Sequence, residues 1–353
     1  MLRLLTRPSS NRIHNNLLKP STFTVVIRTM SSDNPSKRSN DELKTFQLFD
    51  VSKFTAVVTG GGTGIGLMIT QALVSNGAKV YITGRREEVL NSVVEQYNTG
   101  PGKIIALPGD ISSKDDAKRL AEEVAKKESH GIHLLVNNAG IAKDDNTRFS
   151  QAGKPDFSSA QAISEHLLQS QPEQWAETFQ TNITAQFFTT AAFLPLLAKG
   201  RDVTPGYTTS VVNVASISGV MKGTSMGQFA YATSKAGFIH LTKMMATTFA
   251  EAKIRVNCIA PGIFPSEMTA GSSGEDNKSK LDMSMSNPAQ RTGYDSDMAA
   301  CILFLAGPGG LFMNSQILYP DGGKQTNRWQ GNRKFVGLPI TRQHPSAASF
   351  ELE

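Results

Sequence analysis

Cysteine is scarce: Cys258 and Cys301 are the two in 353 residues. That is too few for a disulfide framework. Both lie in apolar stretches, which reads as buried thiols in a reducing compartment. Long hydrophobic runs are lacking as well, and none approaches the ~18 residues that a membrane span requires. Acidic residues are missing from the first 32 positions, where Arg3, Arg7, Arg12, Lys19 and Arg28 supply five of the six net positive charges. The excess charge therefore belongs to one end of the chain and not to a binding face, and no nucleic-acid partner is expected. No metal-ligand cluster is expected either.

The acid-free segment is rich in Leu, Ser, Thr and Asn and reads as a mitochondrial presequence. A disordered basic tail is the alternative, as is an upstream extension with initiation at Met30 and a cytoplasmic protein. Positions 1–43 are treated as this extension plus a polar, Pro-containing linker. Positions 324–353 follow an Asp-Gly-Gly turn, lack clear periodicity and read as a carboxyl-terminal extension. Between them lies 44–323, long enough for one core at 39% hydrophobic overall.

The β-branched run Phe54–Thr59 reads as a buried parallel strand. It leads into Gly60-Gly-Gly-Thr63-Gly64-Ile65-Gly66 and then a helical stretch, Leu67–Asn76. Glycines there permit a tight turn and let backbone amides approach a pyrophosphate at the helix start. The next strand, Ala78–Thr83, ends at Gly84-Arg85-Arg86. An acidic residue at that tip would suit a ribose 2′-hydroxyl, whereas arginine suits a 2′-phosphate. Arg85 thus favours NADP(H) over NAD(H), with solvent-facing arginines as the bland alternative. A third strand from Lys103 ends at Asp110-Ile111, both candidate cofactor contacts. Asp110 equally fits a helix cap, for which Ser112 or Ser113 is better suited. The fourth strand, His133–Val136, runs into Asn137-Asn138-Ala139-Gly140, small residues suited to a backbone lying against a ligand.

Further on, Tyr231 and Lys235 are four residues apart, one turn along a helix face. An ammonium beside a phenol favours the phenolate and is expected to draw the tyrosine down from its ordinary pKa of about 10. That suits a proton donor working near neutral pH.

Taken together, Thr59-Gly60-x-x-x-Gly64-x-Gly66, Asn137-Asn138-Ala139-Gly140 and Tyr231-x-x-x-Lys235 resemble the short-chain dehydrogenase/reductase family, over roughly residues 50–323. The resemblance implies an α/β fold: a single-domain, doubly wound Rossmann sheet of seven parallel strands with helices on both faces. It implies hydride transfer between NAD(P)H and a small-molecule carbonyl or alcohol. It assigns catalysis to Asn182, Ser216, Tyr231 and Lys235, with Ser218 as a rival hydroxyl. It adds Pro261, Gly262, Ile263 and Ser266 to the cofactor contacts, with the Ile263 amide expected to meet the nicotinamide carboxamide.

The stretch Glu173–Lys199 reads as one long helix containing Asn182. Paired with Tyr231–Ala252, it suggests a homodimer or homotetramer, as is common in the family. The last strand is expected at Ser315–Tyr319, after a helix at Ser296–Ala306. Residues 264–290 resemble the family's mobile substrate lid. The piece 141–172, about 32 residues with a helix-like Ser158–Gln169, is long for a loop in such a unit. It reads as either a pocket wall or a surface insertion. Among substrates, the segment Pro261–Thr269 resembles 3-oxoacyl reductases. A polyol or sugar dehydrogenase is the alternative, and a non-catalytic nucleotide sensor is disfavoured because both Tyr231 and Lys235 are retained.

Overall fold

The computed structural model describes residues 35–281, 283 and 285–326. The segment read above as a presequence, and the carboxyl-terminal stretch beyond 326, lie outside the described residues. Residues up to Glu42 form a unit of their own, described as the helix Pro35–Glu42. The catalytic body begins at Leu43.

Seven parallel strands form one sheet: β1 (Thr55–Thr59), β2 (Lys79–Gly84), β3 (Lys103–Pro108), β4 (Leu134–Asn137), β5 (Ser210–Val214), β6 (Arg255–Ile259) and β7 (Ile317–Leu318). Their order across the sheet is β3-β2-β1-β4-β5-β6-β7. The order reverses between β1 and β4, whose register pairs Ala56 with Leu134 and Val58 with Val136. In such sheets ligands bind beyond the strands' carboxyl ends at this switch point.

The main helices are α1 (Gly64–Ser75), α2 (Glu87–Tyr97), α3 (Lys114–Lys127), α4 (Pro172–Phe179), α5 (Ala185–Val203), α6 (Phe229–Thr248) and α7 (Asp295–Ala306). Successive strand side chains point to opposite faces, and the core divides accordingly. Ala56 and Val58 of β1 join Leu73 of α1, Leu90 of α2 and Ile302 of α7 on one face. Val57 joins Leu120 of α3, Phe193 of α5 and Met245 of α6 on the other. Burying each such side chain contributes roughly 1.5–3 kcal/mol. Ser113 caps α3 by accepting the Asp116 amide at 3.3 Å, as one of the two serines named for that role was expected to.

Three boundaries depart from the sequence reading. The expected helix Glu173–Lys199 is two helices, α4 and α5, joined by a π-helical turn at Gln180–Thr184. Asn182 sits inside that turn, where its side chain bonds to backbone across the cleft instead of facing solvent. Such turns recur where a helix carries a functional group. The last strand is two residues long, not five, because Ser315 turns with φ at +61° and pairing with β6 is confined to Ile317 and Leu318. The piece 141–172 holds two short helices, Phe149–Ala152 and Ala160–Leu167, with Phe149 edge-on to Phe157. No helix among the described residues is long and apolar enough to cross a membrane.

Candidate active site

A cavity of about 630 Å³ opens at the carboxyl ends of β1, β2, β4 and β5. Its wall on one side is the glycine turn after β1. Gly60 and Gly64 have φ of +62° and +51°, a region that side chains disfavour. A Cβ on Gly66 would lie 1.9 Å from the Gly60 carbonyl oxygen, so the turn closes only with glycine there. Thr63 precedes α1 without a side-chain cap, leaving first-turn amides free toward the cavity. Amides and helix dipole together favour an anion.

Asn138 holds this turn from the neighbouring strand. Its Nδ2 donates to the carbonyls of Thr59 at 2.9 Å and Gly60 at 3.1 Å. The Asn138 and Ala139 amides both donate to Thr59 Oγ1, at 3.0 and 3.1 Å. Asn138 therefore shapes the cradle as well as lining it. Across the cavity the tip of β2 carries Arg85, which is exposed and has no hydrogen-bond or ion-pair partner among the described residues. Arg86 instead bonds Glu267 with both guanidinium nitrogens, at 3.2 and 2.8 Å. Asp110 accepts from the amide and hydroxyl of Ser112, at 3.0 and 2.8 Å, in a turn at the cavity edge.

Tyr231 and Lys235 rise from α6 into the floor of the cavity, both buried. Lys235 Nζ donates to the Val214 carbonyl at 3.0 Å and lies 5.8 Å from the Tyr231 ring centre. Ser216, just past β5, is almost buried, and its Oγ accepts the Ser218 amide at 3.1 Å. Ser218 is itself bonded to Ser225 at 2.6 Å, which makes it a loop-closing hydroxyl. Asn182 is clipped to the chain after β4: Oδ1 accepts from the Ile141 amide and Nδ2 donates to the Ile141 carbonyl, both at 2.9 Å. Nδ2 also reaches Ser234 Oγ at 2.9 Å, and Ser234 donates to the Tyr231 carbonyl. A Cβ on Gly140 would stand 3.1 Å from Asn182 Oδ1 and 3.3 Å from Lys235 Nζ. The two polar groups thus flank one bare stretch of backbone.

The electrostatics correct one expectation. The Tyr231 phenol stands above its ordinary pKa and is not drawn below it. Burial pushes that phenol up, and the Ser216 hydroxyl and then the Arg148 guanidinium draw it back. Lys235 is itself lowered to about 8 by burial. The reason is burial: the phenol is enclosed at the cavity floor, which the spacing of Tyr231 and Lys235 along a helix does not show.

Of the residues singled out from sequence, Gly60, Thr63, Gly64, Ile65, Gly66, Arg85, Asp110, Ile111, Asn138, Ala139, Gly140, Tyr231, Lys235 and Ser266 all line this one cavity. Ser216 and Asn182 are not in the lining but adjoin it, Ser216 at the Tyr231 hydroxyl and Asn182 through Ser234. Pro261, Gly262 and Ile263 are not part of the lining. Gly262 packs on Asp321, and Ile263 lines a separate cavity of about 180 Å³. Not singled out beforehand were Thr83, Glu267 and Met268, which line the large cavity too, and Asp144 and Arg148 on the 141–172 piece. The segment after Ser266 is docked on α2: Gln96 donates to the Glu275 carbonyl and Asn277 to Ser92 Oγ, both at 2.9 Å.

The cradle fits a dinucleotide on three counts: a glycine turn with no room for a Cβ, uncapped helix amides, and an unpaired cation where an adenosine ribose would lie. The comparisons agree. The family model described as short chain dehydrogenase matches residues 54–277. The short-chain dehydrogenase/reductase PhomF′ of Diaporthe leptostromiformis is 41% identical over 279 residues, 78% of this chain and 93% of its own. The rhamnolipids biosynthesis 3-oxoacyl-[acyl-carrier-protein] reductase of Pseudomonas aeruginosa is 34% identical, covering 78% and 97%. Among solved structures, the Pseudomonas aeruginosa RhlG/NADP active-site complex superposes with a TM-score of 0.64 at 30% identity, over 78% of this chain and 98% of that one. The chain belongs to the short-chain dehydrogenase/reductase family and is an NAD(P)-dependent oxidoreductase.

Proposed function

We propose that the enzyme reduces ketones with NADPH and that its substrate is of the 3-oxoacyl type. The observation that carries the catalytic reading is the meeting of Tyr231 and Lys235 at the floor of the same cavity whose wall is the glycine turn. The dinucleotide, when bound, supplies the hydride. Ser216 donates a hydrogen bond to the substrate carbonyl oxygen, and Tyr231 delivers a proton to it. Lys235 stabilises the resulting phenolate and would hold the nicotinamide ribose hydroxyls of a bound dinucleotide, while Asn182 supports the relay that restores the proton. Donors fixed where alkoxide charge develops lower the barrier because they need no reorganisation at that moment.

The unpaired Arg85 supports NADPH, and a relative's structure is described as an NADP complex. The substrate class is supported by relatives described as 3-oxoacyl-[acyl-carrier-protein] reductases, such as FabG of Chlamydia pneumoniae at 34% identity. Exposed Phe187 on α5 and Met244 on α6 support association into a homodimer or homotetramer. The test is turnover of a short 3-oxoacyl thioester with NADPH, read beside a polyol and a sugar with NADP. Reduction of the thioester is expected. Turnover confined to the polyol or sugar would replace it with a polyol or sugar dehydrogenase reading.

A further inference from the structure

The carboxylate of Asp144 is a buried charged group that the proton-transfer scheme does not use. Asp144 lies in the piece that follows β4 and is 2% exposed. Its two oxygens are each committed: Oδ1 accepts the Ala230 amide at 2.7 Å and Oδ2 accepts the Tyr231 amide at 3.0 Å. Those are first-turn amides of α6, a helix whose own preceding residue, Gln228, makes no side-chain cap. The first turn of a helix leaves its N–H groups without intrahelical partners. Here the missing cap comes from 86 positions away in the chain, and one of the two amides it takes belongs to the tyrosine itself.

The chain entering α6 needs such a hold. Ser225, Met226 and Gly227 have φ of 51°, 60° and 86°, three successive residues in the left-handed region. Two of them carry side chains that disfavour it. The same piece grips this loop from outside. Thr147 Oγ1 donates to the Gly227 carbonyl at 2.8 Å, and His166 Nε2 bonds the Thr147 carbonyl at 3.0 Å. Gln228, with its amide turned to suit its neighbours, accepts from Arg148 at 2.7 Å. Burial raises the Asp144 carboxyl above its ordinary value, and its polar partners, the two amides and then Arg148, offset that only in part.

We propose that Asp144 is a positioning residue for the acid catalyst: by binding the amides of Ala230 and Tyr231 it fixes where α6 begins and hence where the phenol stands. The 141–172 piece is then a brace for the catalytic helix. This rests on the proton-donor role given to Tyr231.

The experiment compares Asp144→Asn with Thr147→Val, on the full chain, using the ketone that the wild type turns over. Asparagine keeps the size but offers one acceptor oxygen, with an NH₂ set against the other amide. Thr147→Val removes a bond to the strained loop without touching α6 amides. Asp144→Asn is expected to lower kcat by ten- to a hundredfold while the NADPH Kd changes by less than twofold. Thr147→Val is expected to lower kcat by less than threefold, and Asp144→Glu, which restores two acceptors, to recover part of the loss. Equal kcat for Asp144→Asn and wild type overturns the proposal. So does a parallel loss of NADPH binding, or failure of the Asp144 variants to fold, since the carboxylate would then be holding the fold and not the phenol. A Tyr231→Phe enzyme that still turned over at the wild-type rate would instead remove the proton-donor reading beneath it.

Discussion

Single residues decide which dinucleotide this cavity takes. Two adjacent arginines follow β2, but Arg86 is engaged with Glu267 while Arg85 has no partner among the described residues. Arg85→Ala should therefore weaken NADPH binding and leave NADH binding unchanged. A charge-assisted hydrogen bond contributes about 1.5–3 kcal/mol, or roughly ten- to a hundredfold in Kd. Fluorescence titration with both cofactors reads this directly, and equal weakening of both would remove the 2′-phosphate assignment. Tyr231, Lys235 and the glycines were legible in the sequence because their spacing alone puts them on one helix face or in one turn. Asp144 was not, because nothing local marks a carboxylate whose partners are the backbone amides of Ala230 and Tyr231. The direction in which the Tyr231 phenol is shifted was misread for a similar reason. Sequence spacing placed Lys235 beside the ring, but burial is a tertiary fact.

Elements were legible where their periodicity was undisturbed. Strands β1, β2 and β4 and helices α1 and α7 lie where the apolar patterns put them. The π-helical turn around Asn182 was invisible, since an inserted residue in a helix leaves the surrounding pattern apolar. Part of the segment after Ser266 meets α2 through bonds that no local pattern announces, from Gln96 to the Glu275 carbonyl and from Asn277 to Ser92 Oγ. One element boundary makes a pH prediction. His133, at the entry to β4, accepts the Thr55 amide through Nδ1 at 3.1 Å and stacks on Phe54 with ring centres 4.9 Å apart. Burial holds its pKa below the ordinary value. As pH falls through about 6.5, the unfolded chain takes up a proton that the folded chain refuses. Its stabilising effect is thus present above that pH and is lost below it, by at most about 1.4 kcal/mol per pH unit. Urea midpoints between pH 7.5 and 5 are expected to fall less steeply in His133→Gln than in the wild type. Parallel curves would show that His133 does not couple folding to protons.

The whole molecule places its chemistry by topology. The reversal of strand order between β1 and β4 opens the crevice, β5 and α6 bring hydroxyl and phenol to it, and the 141–172 piece braces the helix from outside. The number and direction of the seven strands were implied by the family resemblance, whereas their order and the lining of the cavity by Glu267 and Met268 were not. Assembly belongs to this scale too. With Phe187 and Met244 exposed on long helices, light scattering at micromolar concentration is expected to read a dimer or tetramer, and a monomer would contradict the pairing of those faces. The central claim is that the Tyr231 phenol protonates a carbonyl held against the bound dinucleotide. Single-turnover hydride transfer, followed by NADPH absorbance in wild type and Tyr231→Phe with cofactor binding measured alongside, tests it most directly. A loss of at least a thousandfold in rate, about 4 kcal/mol, with NADPH still bound is the predicted result; transfer at an undiminished rate would contradict the account.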